Sequence, residues 1–203
     1  VLRELYLNHI CFIRMDMHIS GLHRLEKLDF SSNQCEYISS LVFSEMSSLT
    51  TLLLNGNALS KMEETDSEEL RMLFRENREL QLLNLSANGF TRLPLDIFAT
   101  NIKLENLDLS GNLLKNTDWL SITLLQLHSL NLNGNRLTTI DSRARHVIDN
   151  FVHEYNYSIG DVGKTQINLA NNPISCDCDQ EDMLRWLSNA KRFISNIDGI
   201  VCA

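Results

Sequence analysis

The segment from Leu104 to Leu114 sets Leu104, Leu107, Leu109 and Leu114 around Asn112, and this spacing, LxxLxLxxNxL, recurs along almost the whole chain. Copies start at residues 2, 25, 49, 80, 104, 127 and 164, so neighbouring starts lie 23, 24, 31, 24, 23 and 37 residues apart. No copy holds enough apolar side chains to bury itself alone. The copies must therefore stack, each covering the next.

Such a period is the mark of leucine-rich repeats. In Leu-x-Leu the alternate side chains point to one side, as in a short strand, and one strand per copy builds a parallel sheet at ~4.8 Å spacing. Seven turns then span roughly 30 Å. The expected fold is α/β: a leucine-rich-repeat solenoid with a curved parallel sheet on its concave side, helices and loops on its convex side, and a small disulfide-pinned C-terminal cap. Residues 1–171 form the array of about seven turns and 172–203 a truncated cap. The repeat asparagine falls where the chain turns back, and its amide can satisfy backbone groups that the bend leaves unpaired. Six copies keep it, whereas Ile10 stands there in the first, which is expected to be the least regular.

Between strands, Phe43, Phe74 and Phe98 each stand six residues before the next start, with Ile19 at the same offset, and are expected to stack as an internal spine. A helix is expected near 66–78, capped by Asp66 and burying Leu70, Leu73 and Phe74. Its acids Glu63, Glu64, Asp66, Glu68 and Glu69 read as a solvated helix start before they read as a docking patch. A second, amphipathic helix is expected over 141–155, with Ala144, Val147, Ile148, Phe151, Val152 and Tyr155 on one face.

The net charge of −8 argues against general affinity for phosphate backbones or anionic lipid. No apolar run approaches the ~20 residues a bilayer requires, and no basic-then-apolar leader opens the chain. Because the first leucines have no polar cap, Val1 is expected to be a cut through a longer array.

The C-terminal segment runs Asn172-Pro173-Ile174-Ser175-Cys176-Asp177-Cys178, then Leu184, Trp186 and Leu187 at helical spacing, then Cys202. With the preceding repeats it resembles the membrane-proximal end of a Toll-like receptor ectodomain, and the long penultimate turn followed by Gln166 to Pro173 is similar to Toll receptors of invertebrate type. The resemblance implies that Cys176 pairs with Cys202 and that Cys178 pairs with a cysteine beyond the end of the chain. The first bridge would close a loop of ~27 residues and contribute roughly 3.5 kcal/mol. Cys11 and Cys35, one repeat apart, fall within disulfide reach on neighbouring turns, and Cys35 is equally readable as a buried thiol.

The outward strand residues, such as Arg3, Glu26, Lys27, Asp29, Glu105 and Asp108, give the concave face two basic and five acidic groups. Nucleic acid is disfavoured there. Asn84-Leu85-Ser86 and Asn156-Tyr157-Ser158 are N-glycosylation sequons. Gly160 to Thr165 fails as a phosphate loop, because its first glycine is missing and a strand follows. His146 and His153 have no third partner at metal-ligand spacing, and no nucleophile is paired with a base. No catalytic residue, metal or cofactor is expected.

The resemblance implies a non-catalytic receptor ectodomain on the extracellular side of a single-pass membrane protein, at the cell surface rather than the endosome. Its partners would be a protein or microbial ligand and a second receptor chain, as homodimer or heterodimer, and it would touch the membrane only through a segment outside this sequence. The alternative is an adhesion or matrix protein using the same repeats for protein–protein binding.

Overall fold

The computed structural model describes residues 2–121, 123–124, 126–155, 166–175, 181–190 and 194–195. Seven short strands follow the repeat: β1 (Glu4–Tyr6), β3 (Lys27–Asp29), β5 (Thr51–Leu53), β6 (Leu82–Asn84), β7 (Asn106–Asp108), β8 (Ser129–Asn131) and β9 (Gln166–Asn168). They pair in parallel in that order, and β10 (Ile194–Ser195) from the C-terminal segment adds an eighth strand beside β9. The register aligns Leu5, Leu28, Leu52, Leu83, Leu107, Leu130, Ile167 and Ile194 in one row. All but Leu5 are buried, and burial of each such side chain is worth ~1.5–3 kcal/mol. A second parallel pair, β2 (Arg14–Met15) with β4 (Tyr37–Ile38), lies outside the main sheet.

The repeat asparagines do more than close their own bends. The Asn112 amide nitrogen donates to the Leu109 carbonyl in its own turn at 2.9 Å and to the Leu85 carbonyl of the preceding turn at 3.0 Å. Its Oδ1 accepts from the backbone N–H of Asn88 and of Phe90, both in the preceding turn. Asn57, Asn88, Asn135 and Asn172 likewise join their own turn to the one before. The result is a buried ladder along the solenoid. Ile10 has no amide to give, and the first turn is the most open, with Leu2, Ile10, Phe12, Ile13 and Met17 all exposed.

The aromatic spine is present: Phe43, Phe74 and Phe98 are buried, Phe74 stacks on Phe98 at 6.1 Å, and Trp119 meets Phe98 edge-on at 5.8 Å. Ile19 packs half-buried against this core. Beside the spine, Asn77 donates to the carbonyls of Phe43 and Met46, and Asn101 to those of Phe74 and Asn77.

The expected helix near 66–78 is shorter, α3 (Ser67–Met72), and a further helix, α2 (Lys61–Thr65), precedes it. Asp66 caps α3 by accepting from the Glu69 N–H, and Leu70, Leu73 and Phe74 are buried as the spacing requires. The short α1 (Ser40–Ser44) is capped across turns, since Glu69 accepts from the Ser39 hydroxyl and from the Ser40 N–H. Burial pushes the Glu69 carboxyl up, but the bonds from the Ser40 N–H and the Ser39 and Ser40 hydroxyls outweigh it and hold it below its ordinary value.

The long penultimate turn carries α4 (Ser142–Tyr155), begun by Asp141, which accepts from the Ala144 N–H, and burying Ala144, Val147 and Ile148. The side chains of Phe151, Val152 and Tyr155 lie outside the described residues. Helix α5 (Glu181–Asn189) packs on this penultimate turn: Met183 and Leu187 are buried, the Met183 sulfur accepts from the Ile140 N–H, and Trp186 Nε1 donates to Asp149 on α4 at 2.9 Å.

Candidate interaction surfaces

Each three-residue strand from β3 to β9 in the concave face buries its middle residue and leaves its two neighbours partly or fully exposed. Both basic groups there are occupied by neighbours: Arg3 pairs with Glu26, and Lys27 lies over the Tyr6 ring at 5.1 Å. At the end of β3, β6, β7, β8 and β9 a polar side chain turns back on the bend. Asp29, Asn84, Asp108, Asn131 and Asn168 each accept from the N–H two residues on. Asn84, Asn106, Asp108, Ser129 and Asn131 thereby line a shallow polar depression of about 230 Å³. Asn84 is half-buried, and its side-chain oxygen accepts from the Ser86 N–H at 2.9 Å.

Cys11 and Cys35 are both free thiols, so the bridge between neighbouring turns is not formed. The reason is conformational. Cys11 is exposed with its backbone in the left-handed region, while Cys35 occupies an inward leucine position and donates its thiol to the Tyr37 carbonyl. Burial pushes the Cys35 thiol above its ordinary value, which makes it a poor nucleophile at neutral pH. Cys176, Cys178, Cys202 and Asn156 lie outside the described residues, as does the glycine pair of Gly160 and Gly163.

Away from the sheet, the 31-residue turn is longer than its neighbour and carries two helices. Its helices α2 and α3 meet the fourth turn, whose outer segment carries Pro94 and forms no helix. The step leaves a groove of about 500 Å³ lined by Glu63, Glu68, Arg71, Arg92, Leu93, Pro94, Leu95 and Asp118 among others. It continues into a depression of about 340 Å³ that shares Glu63, Arg92 and Asn116 and adds Glu64 and Lys115. Most of the acids here are committed. Glu63 accepts from the N–H and hydroxyl of Thr91, Glu68 chelates Arg71, and Arg71 reaches on to Asp96. Three of the five acids from Glu63 to Glu69 thus serve caps and ties between elements and Glu68 pairs with Arg71 within α3, which accounts for most of the acidic run without an acidic docking patch. Sequence reasoning found these acids but not the groove, which arises only where turns of unequal length meet.

Among the described residues, no group of three or more His, Cys, Asp and Glu could hold a metal ion, and no helix is long and apolar enough to cross a membrane.

Stacked parallel strands, an asparagine ladder and an aromatic spine define a leucine-rich-repeat solenoid. Residues 1–59 match the family described as "Leucine rich repeat", and residues 126–144 a second so described. The chain is 29% identical over 196 residues to trophoblast glycoprotein of Macaca fascicularis, covering 90% of this chain and 44% of that protein. It is 26% identical over 186 residues to Toll-like receptor 4 of Pinctada imbricata, covering 92% of this chain and 20% of that one. The chain therefore spans less than half the length of either relative. The crystal structure of human 5T4, a trophoblast glycoprotein, superposes with a TM-score of 0.70 at 22% identity, over 99% of this chain and 81% of that one. The chain is homologous to leucine-rich-repeat proteins, Toll-like receptors among them.

Proposed function

We propose that this chain is the membrane-proximal extracellular part of a Toll-like pattern-recognition receptor, innate-immune or developmental. It performs no catalysis and pairs with a second receptor chain when a protein or microbial ligand binds. The observation that carries the reading is the docking of α5: Met183 and Trp186 sit on the penultimate turn, on a helix that follows the Asn172-Pro173 step and, in sequence, the cysteines that the receptor cap uses. Similarity to a Toll-like receptor over 92% of the chain supports it. In this reading residues 172–203 are the cap, Cys176 pairs with Cys202, Cys178 has its partner further along the parent protein, and Asn84 and Asn156 carry glycans. A glycan on Asn84 would stand over the polar depression of the sheet and leave the outer surfaces for partners.

Expression through a secretory pathway tests the chemistry: non-reducing peptide mapping should recover the peptide linking Cys176 to Cys202, and glycosidase treatment should shift the mass at both sequons. Sedimentation velocity of the parent ectodomain, with and without candidate microbial ligands, tests the function. Ligand-dependent dimers are expected, and a monomer under every ligand would reject it.

Similarity to trophoblast glycoprotein over 90% of the chain favours a second reading, an adhesion or matrix protein. In that case beads coated with the protein should bind cells or one another without added ligand.

A further inference from the structure

The groove between the third and fifth turns holds charges and apolar surface that the fold leaves unused. Glu63 and Glu68 are saturated by Thr91 and Arg71. Arg92 and Lys115 are exposed, share one wall of the depression, and make no ion pair among the described residues. Leu95, which lines the groove together with Arg92, is 62% exposed, although it stands on the same short segment as buried Leu93 and Ile97. Nothing in the packing of the fourth turn calls for a leucine there. An isolated exposed leucine is unremarkable, but one in a groove lined by Arg92 that continues into a depression lined by Arg92 and Lys115 forms part of a mixed apolar and cationic surface.

We propose that this groove binds an extended segment of a partner protein, with an aliphatic side chain on Leu93, Pro94 and Leu95 and a carboxylate on Arg92 and Lys115. Arg92 can take the carboxylate through two parallel N–H bonds and Lys115 as a point charge. The pairing suits a peptide better than a polyanion, because Glu64 and Asp118 flank the two cations and would repel a run of negative charge. The site rests on the reading of the chain as a binding module, and it names the chemistry of what is bound.

Selection of the full chain against a phage-displayed library of random twelve-residue peptides tests the site. Enriched peptides should place Asp or Glu within two or three residues of Leu, Ile or Val. As synthetic peptides they should bind R92E/K115E at least tenfold more weakly, and L95S more weakly than wild type. Peptides carrying Lys in place of the acid should regain affinity for R92E/K115E, a charge swap that misfolding would not produce. Circular dichroism of the variants should match wild type, since all three side chains are at the surface. Enriched peptides that bind R92E/K115E as well as wild type, or no enrichment at all, would overturn the proposed site. Ligand-driven pairing is read separately by sedimentation, so failure of the groove and failure of the receptor reading are distinguishable.

Discussion

Replacing Asn112 with alanine probes the device that holds neighbouring turns together. Its amide makes four bonds shorter than 3.2 Å, two as donor and two as acceptor. The two carbonyls it serves each keep a partner in the variant, because Leu85 also receives Asn88 and Leu109 also receives Asn135. The Asn88 and Phe90 N–H groups keep none, and both residues are buried. A buried donor without an acceptor costs ~1–3 kcal/mol, so N112A should lose about 4 kcal/mol. N33A is the internal comparison: among the described residues Asn33 Oδ1 accepts only from Ile10, beside the exposed first turn, and its loss should come to ~1–2 kcal/mol. Urea unfolding followed by circular dichroism gives both values, and amide exchange should show protection lost at Asn88 and Phe90. If N112A costs under ~1 kcal/mol, or no more than N33A, the ladder is not what couples the turns.

Four further outcomes follow from single positions. Glu69 has its carboxyl pKa lowered in the fold, so its stabilisation is complete above the ordinary value of 4.5 and is lost as pH falls through the folded value. Denaturation across that range should show a shallower fall for E69Q, which is also less stable than wild type at pH 7. Gly111 has φ +64, and an added Cβ would meet nothing closer than 3.8 Å, so G111A should cost only the left-handed backbone penalty of ~1 kcal/mol. Ala87 takes the same place in its own turn with φ +52, and A87G should be neutral or slightly stabilising in the same urea assay. M183A removes a buried side chain whose sulfur accepts from Ile140, and should cost ~2–5 kcal/mol while speeding exchange at the Ile140 amide.

Leucine spacing alone was enough to place seven strands, the direction of their side chains and the aromatic spine, because a repeated inward position carries the same instruction in every turn. Helix α4 was legible for a related reason, its apolar face recurring over four turns. Features without repetition were not legible. Strand β10 is two residues long and gains its identity only from the register of β9. Asn77 and Asn101 form their own short series in two turns only, where Met46 and Leu124 stand at the same offset elsewhere. The reach of each repeat asparagine into the preceding turn needed the stacking distance as well as the sequence. The Met183 contact joins residues more than forty positions apart through a weak sulfur acceptor that no local pattern announces. For Cys11 and Cys35, repeat spacing brought the two positions near each other, but the direction of the side chains decided against a bond.

Stacking of the turns in the stated register is tested most directly by engineered cross-links on the sheet face. Asn106 and Ser129 are register partners on adjacent parallel strands, and neighbouring strands at ~4.8 Å bring paired cysteines within disulfide reach. Mild oxidation of N106C/S129C should give a bond between residues 106 and 129 in nearly every molecule, read by non-reducing peptide mapping. N106C paired with T51C, two strands away, should give none. Cross-linking of the distant pair, or its failure in the register pair, would contradict a solenoid built on these leucines.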